Sequence, residues 1–420
     1  MVRRLRSGRR MAADVASRVV MIAPPFGSAL DAQVLVQHAE DRTLTPADAA
    51  RLIRAEGTDL VHLMSAASAL RDRHKGRVVT YSRKVFIPLT NLCRDACGYC
   101  TFARPPGDPK AKTLSPDEVL AIARAGRDLG CKEALFSLGE RPEERHALAR
   151  SHLAQFGYST TVEYLAAMCK LVFEETGLLP HANLGVLDRE ELELLRPYNA
   201  SMGLMLESTS ERLLEPGGAH YGCPGKVPIL RIETMERAGD LGIAFTTGIL
   251  IGIGETLDDR VESLFALRDL QERSGNIQEV IIQNFRVKSD IRMRNRGEPS
   301  VLDMVRTIAV ARLILGGAQN LQAPPNLAPD AYPFYLLAGI NDWGGISPVT
   351  RDHINPERAW PLVEELRQAS AEAGFELRER TCLYPEYLSQ PKYRRERLVA
   401  HLDALVDDRG LVKKEATWQQ

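Results

Sequence analysis

No stretch of this chain is apolar and long enough to cross a bilayer, so a membrane-spanning helix is not expected. The start does not read as a signal peptide. Arg3, Arg4, Arg6, Arg9 and Arg10 lead into Asp14 and Arg18, which break any apolar core. Neither charge is in excess, with 54 Lys and Arg against 55 Asp and Glu, so no global field attracts nucleic acid or an anionic membrane. Cysteine is sparse and odd in number, 7 in 420 residues, which argues against a disulfide framework. Cys131, Cys169, Cys223 and Cys382 lie scattered and read as small packing residues. There is no second Cys-x-x-Cys and no His-x-x-x-His, so the pairs that build a closed zinc site are missing.

What the chain does have is one tight cluster, Asn91-Leu92-Cys93-Arg94-Asp95-Ala96-Cys97-Gly98-Tyr99-Cys100-Thr101-Phe102. The spacing Cys-x-x-x-Cys-x-x-Cys directly follows a β-rich run, Val85 to Leu89. Three thiolates on one loop can hold three irons of a [4Fe-4S] cluster and leave the fourth open to another ligand. A structural zinc site is the competing assignment, but it is usually four-coordinate and closed. The triad, with aromatic Tyr99 before its last cysteine, resembles the signature loop of the radical SAM superfamily. That resemblance implies S-adenosylmethionine (SAM) on the open iron and a 5′-deoxyadenosyl radical as product of its cleavage. An oxygen-sensitive cluster and reduced thiols imply a cytoplasmic setting.

Residues 1–27 form a basic leader, expected to be disordered, and 28–77 a helical prefix. Thr45-Pro46-Ala47-Asp48 caps one of its helices, and Leu60, Leu63, Met64 and Leu70 mark another. A DNA-reading helix-turn-helix is disfavoured, since basic residues do not gather on one helix. From residue 80 the pattern alternates. Strands are expected at Lys84–Leu89, Glu133–Leu138, His181–Val186, Ser201–Leu206, Ala244–Ile251, Glu279–Phe285, Asn320–Ala323 and Gly339–Trp343. Amphipathic helices separate them, the clearest opened by the capping box Ser115-Pro116-Asp117-Glu118. Near-continuous apolar strands argue for a parallel sheet buried on both faces. The expected fold is α/β, a (βα)8 TIM-type radical SAM barrel over 78–378, with the cysteine loop at the C-terminal end of its first strand. Residues 379–420 are expected to form a C-terminal helical extension, lidding the barrel or packing outside it.

Further constellations fall at strand ends. Ser137-Leu138-Gly139-Glu140 follows the second strand, with Leu138 where the superfamily has another glycine. Leu204-Met205-Leu206-Glu207-Ser208 ends the fourth, and its carboxylate needs a ligand or an ion pair such as Arg212. Gly248-Ile249-Leu250-Ile251-Gly252-Ile253-Gly254-Glu255 closes the fifth. It lacks the following Gly-Lys-Ser/Thr of a phosphate loop and the glycine order of a dinucleotide fingerprint. By the superfamily resemblance Tyr99, Gly139, Glu140, Glu207, Ser208, Gly252 and Gly254 are cofactor-binding candidates. Gln283, Asn284 and Arg286 after the sixth strand, Gln322 after the seventh, and Asn341, Asp342, Trp343 and Ser347 after the eighth are expected at the rim. Of these Gln283, Asn284, Arg286 and Asp342 are the substrate candidates. His220 and Tyr221 are also expected near the mouth.

The resemblance then narrows. Tyr81-Ser82-Arg83-Lys84-Val85-Phe86-Ile87-Pro88, Cys131-Lys132-Glu133-Ala134-Leu135-Phe136, Gln283-Asn284-Phe285-Arg286, Gln322-Ala323-Pro324-Pro325-Asn326-Leu327 and Asp342-Trp343-Gly344-Gly345 resemble the CofG family of 7,8-didemethyl-8-hydroxy-5-deazariboflavin (FO) synthase. They also resemble the first half of its fused form. The resemblance implies that Cys93, Cys97 and Cys100 are the metal ligands, with SAM as cosubstrate and an external electron donor. It implies an ammonia-releasing lyase step that closes a 4-hydroxybenzyl-ribitylimino-uracil adduct to FO, in coenzyme F-420 biosynthesis. A second chain, CofH, would supply the adduct, since one triad is present here. Gly98 stands where fused relatives are expected to carry a larger residue, often His. Competing readings are a futalosine-pathway cyclase and a non-catalytic iron–sulfur redox protein.

Overall fold

The computed structural model describes residues 31–414; the basic leader lies outside the described residues. Eight parallel strands close on themselves: β1 (Val78–Pro88), β2 (Glu133–Ser137), β3 (Leu179–Asn183), β4 (Ser201–Gly203), β5 (Phe245–Ile251), β6 (Ile277–Asn284), β7 (Leu321–Gln322) and β8 (Asp342–Ile346). Closure is made by the long β1, whose upper half pairs with β2 (Lys84 to Pro88 against Glu133 to Ser137). Its lower half pairs with β8 on one side. This is the expected α/β barrel, and the helices between strands cover its outside.

Local chemistry supports each crossover helix. The expected box at Ser115 is formed, with its hydroxyl accepting from the Glu118 N–H and Glu118 accepting from the Ser115 N–H. Similar boxes open the helices Thr161–Thr176 and Leu257–Ser274, satisfying N–H groups that have no partner within the helix. The prefix helices Ala32–Glu40, Pro46–Leu52 and Gly57–Lys75 pack outside the barrel, against Val301–Leu315 and Leu257–Ser274. Leu63, Ala66, Ala67 and Leu70 are fully buried there.

The carboxyl-terminal part departs from expectation. A ninth strand, β9 (Glu376–Glu379), pairs parallel with the lower half of β1, Val78↔Glu376 to Tyr81↔Glu379. The expected boundary at residue 378 therefore falls inside a strand of the sheet. Beyond β9, Leu383, Tyr384, Tyr393, Leu398 and Leu402 join Leu179, Ala200 and Ala244 in a buried apolar cluster. Those last three residues stand at the starts of β3, β4 and β5. The tail thus plugs the N-terminal end of the barrel, opposite the mouth that carries the cysteines.

Candidate active site

The loop after β1 brings Cys93, Cys97 and Cys100 to one cavity of about 250 Å3 at the C-terminal ends of the strands. Tyr99, Gly139, Glu140, Glu207, Leu250, Gln283, Asn284 and Arg286 line the same cavity. A second chamber of about 200 Å3 lies deeper along the strands, lined by Lys84, Phe86, His181, Glu279, Gln322 and Trp360 among others. Ser137, Asn183, Met205, Gln283 and Asn355 border both, so the two spaces adjoin.

Tight backbone contacts fix the triad. The Cys93 Sγ accepts N–H groups from Asp95 at 3.4 Å and Glu140 at 3.2 Å. Gly139 passes so close to the loop that a Cβ would sit 1.8 Å from the Leu92 carbonyl oxygen, which explains the residue before Glu140. Gly98 donates its N–H to Ala219 O (2.7 Å) and accepts from Met293 (3.1 Å). A Cβ at Gly98 would meet the Met293 Cγ and Sδ at 3.1 Å. Met293 therefore fills the space that the larger residue expected at this position in fused relatives would need. Leu213, Ile253, Phe285 and Ile291 form an apolar wall behind Tyr99 and the last two cysteines.

Burial pushes the Cys93 thiol up to about 12, and the Cys100 thiol up as well. A bound cation would reverse this and hold both as thiolates. Cys97 is held below the usual thiol range, first by a hydrogen bond from Cys223. Sequence reading gave Cys223 no role; nothing in its local spacing signals that the chain returns it to the triad. Among the described residues no group of three or more His, Cys, Asp or Glu converges on a single-ion site. The donor set is three thiols facing a shared cavity, which fits a multi-iron cluster with one iron left for another ligand.

Two buried carboxylates face this space, each with a cation. Glu140 accepts from Arg94 at 2.8 Å, with Arg231 at 3.9 Å. Glu207 accepts from Lys226 at 2.7 Å. The alternative of an Arg212 pair for Glu207 is not formed, because Arg212 turns to Asp259. Glu207 adopts φ of +65°, a strained backbone for a non-glycine residue, as is common at ligand sites. Burial disfavours its charge, but Lys226 and Arg231 more than offset this and hold its pKa below the ordinary value. Lys226→Met should cost about 3 kcal/mol, the low end for unpairing a buried charge, because Arg231 remains nearby. Glu207 then loses the ammonium that depresses its pKa. Wild type loses this part of its stability as pH falls through the depressed folded-state value. The variant's deficit, read from denaturant midpoints, should be largest at neutral pH and shrink in acid. A deficit independent of pH would show that the pair is not the cause.

Lys226, Arg231 and Asn183 were missed. Asn183 ends β3 and was findable as a rim residue; Lys226 ends an irregular loop after β4, and Arg231 lies on the buried face of the helix Pro228–Asp240, where a charged residue among apolar ones was the available signal.

Four expected site residues stand elsewhere. Gly252 and Gly254 do not line the cysteine cavity. Their N–H groups, and that of Ile253, donate to the Glu255 carboxylate at 2.7, 3.0 and 2.8 Å, and both glycines face a separate surface hollow. Leu250 is the member of this element that reaches the cavity. Ser208 is buried in a turn, its hydroxyl accepting from the Ser210 N–H. Asp342 begins β8 rather than following it, and pairs with Arg380 at the plugged end of the barrel. Asn341 and Trp343 are likewise buried away from the mouth. His220 lies behind Tyr99, its Nε2 3.1 Å from the phenol oxygen, and burial lowers its pKa to about 3, so the ring is neutral. Tyr221 is exposed.

A parallel barrel with a three-cysteine loop at the top of its first strand defines a radical SAM domain, and a sequence model of the radical SAM superfamily matches residues 87–267. Proteins of that superfamily bind SAM and an iron–sulfur cluster. The fold is shared with HydG, a maturase of the [FeFe]-hydrogenase, at 18% identity and a TM-score of 0.68, over 84% of this chain and 76% of that one. It is shared too with methylornithine synthase PylB, at 20% identity and 0.63, over 82% and 97%. The chain is 49% identical over 336 residues to the 7,8-didemethyl-8-hydroxy-5-deazariboflavin synthase of Methanopyrus kandleri, covering 80% of this chain and all of that protein (100%). It is 49% identical over 390 residues to the FO synthase of Streptomyces avermitilis, covering 89% of this chain and 45% of that protein. The FO synthase of Mycobacterium tuberculosis shows 45% over 404 residues, 92% and 47%. The chain spans about half the length of the Streptomyces and Mycobacterium relatives. This chain belongs to the 7,8-didemethyl-8-hydroxy-5-deazariboflavin synthase family.

Proposed function

We propose that this chain is the CofG-type component of FO synthase, an ammonia-releasing lyase acting on a 4-hydroxybenzyl-ribitylimino-uracil adduct supplied by a CofH component. The observation that carries the reading is the triad and its two carboxylates around a cavity that adjoins a second chamber. It occurs in a chain related along the whole length of the Methanopyrus kandleri synthase. Cys93, Cys97 and Cys100 would hold a [4Fe-4S] cluster, leaving one iron for SAM. When bound, the cluster supplies the electron that splits the SAM sulfonium to yield the hydrogen-abstracting 5′-deoxyadenosyl radical.

The chain's own residues bind and shield. Glu140 and Glu207 offer acceptors to the ammonium and hydroxyl groups of SAM, with Arg94 and Lys226 balancing their charge. Tyr99, Leu250 and Phe285 keep water from the triad. Gln283, Asn284 and Arg286 stand where the adduct would enter. An external reductant and a cytoplasmic setting complete the reading; the oxygen sensitivity of such clusters supports the latter. Among the described residues no helix is long and apolar enough to cross a membrane.

The test is anoxic reconstitution with iron and sulfide, then reductant, SAM and the CofH-made adduct. FO fluorescence together with 5′-deoxyadenosine is the expected result. Deoxyadenosine without FO would move the assignment to another substrate, such as that of a futalosine-pathway cyclase. Neither product from a fully loaded sample would leave a redox protein.

A further inference from the structure

The inner chamber carries a built recognition site on an irregular strand. Between Thr80↔Asp342 and Ser82↔Gly345 the register of β1 against β8 shifts, so β8 holds one extra residue. This is a β-bulge, a device that re-aims side chains. Trp343 swings outward and is fully buried, its Nε1 donating to the Ser370 hydroxyl at 3.2 Å. Gly344, at φ of +75°, and Gly345 face the chamber. The space of their missing side chains is taken by two polar neighbours. A Cβ on Gly344 would lie 2.2 Å from the Gln322 Nε2, and one on Gly345 2.3 Å from the Lys84 Cε.

The two neighbours are held and aimed. Lys84 Nζ donates to Glu133 at 2.7 Å, and Glu133 accepts from Ser82 at 2.6 Å. Burial disfavours the Glu133 charge, but the neighbouring Lys84 more than offsets this and holds the Glu133 pKa below its ordinary value. The Gln322 amide donates to the Trp343 carbonyl, a long contact of 3.4 Å, while its Oε1 has no partner though the residue is 4% exposed. A buried amide carbonyl without a donor is costly. Phe86, two residues on from Lys84 along β1, stacks on Trp360 at 5.3 Å with an interplanar angle of 3°, and both line the chamber.

An unfilled acceptor, an adjacent ammonium and a flat aromatic wall suit a planar ring with N–H beside C=O. We propose that Gln322 and Lys84, seated on the Gly344–Gly345 bulge, are specificity-determining residues that read the imide edge of the substrate's pyrimidinedione ring. Gln322 Oε1 accepts the ring N–H and Lys84 donates to the flanking carbonyl. This rests on the FO synthase reading, which supplies a ligand with such a ring.

The probe is FO itself, titrated by its fluorescence anisotropy into the reconstituted chain with SAM, beside FO methylated on its imide nitrogen. Wild type should bind FO at least tenfold more tightly than the methylated form. Gln322→Met keeps the volume and removes the acceptor, and should lose most of that preference. Gly345→Ala displaces the Lys84 stem without deleting the lysine, and should weaken FO binding fivefold or more. A merely structural glutamine would weaken both ligands alike and leave the preference intact. An unchanged preference in Gln322→Met, or no preference in wild type, would overturn the proposal. A wild-type chain that makes FO yet does not discriminate sinks this inference alone. One that discriminates but makes no FO sinks the functional reading and leaves the pocket assignment standing.

Discussion

Cys93→Ala, Cys97→Ala and Cys100→Ala should each give a folded chain that retains little iron and sulfide and loses more than about 100-fold of the FO-forming activity proposed for it. That floor exceeds the loss from disturbing an outer-shell partner alone, because a ligand itself is removed. The stability cost should be small, since all three residues sit on a loop outside the barrel core and are only half-buried. Cys131 is the contrast. It is fully buried in the main core, in the turn between the helix Pro116–Asp128 and β2, and does not line the cavity. Cys131→Ala should cost about 1 kcal/mol, the ordinary price of a core change, with metal content unaltered. Iron and sulfide analysis beside thermal melts separates the two. Full activity in any one triad variant would end the cluster assignment, and retained zinc in place of iron would revive the structural-metal alternative.

The parts of this site legible in the sequence are those fixed by short-range pattern. The triad is spaced within one loop, and it follows a strand whose apolar run is unmistakable. Glu140 and Glu207 were found by their resemblance to superfamily elements at the second and fourth strands, and Gln283 because a polar side chain near the end of a buried strand stands at the rim. What could not be read depends on distant pairing. Lys226 meets Glu207 through a loop with no periodic signal. The β9 sequence Glu376-Leu377-Arg378-Glu379 looks like solvated surface until β1 offers it an edge. The eighth strand was expected at Gly339–Trp343 but begins at Asp342, because the chain turns at Gly339 with φ of +107°. That shift moves Asp342 from the top of the barrel to the bottom. The double glycine that follows was the visible hint: two residues without side chains in a strand mark a bulge or a close approach.

Asp342 leads to the largest expected loss of stability. Arg380, just past β9, donates to it twice, at 2.6 and 2.9 Å, and to Glu279 at 3.1 Å. Its guanidinium lies 3.9 Å from the centre of the Tyr384 ring, and Tyr384 in turn donates to Glu279 at 3.0 Å. Thr80 and the Gly344 N–H complete the shell of Asp342. All of these side chains are buried. Arg380→Met should therefore cost about 5 kcal/mol, the upper end for stripping a buried ion pair, because two carboxylates are left without their cation. Burial already raises the Glu279 pKa, against the pull of Arg380. Without the arginine the buried Glu279 carboxyl would bind its proton still more tightly in the fold than in the unfolded chain. Stability of the variant should then fall as pH rises, so its deficit against wild type narrows on acidification from neutral pH toward about 5. Pairing Arg380→Met with Asp342→Asn should recover part of the loss, since the amide needs no cation. Denaturant midpoints across that pH range decide the matter. A small, pH-independent loss would mean the tail is a peripheral cover. The expected large one makes it the stopper whose charge network keeps water out of the barrel floor beneath the inner chamber.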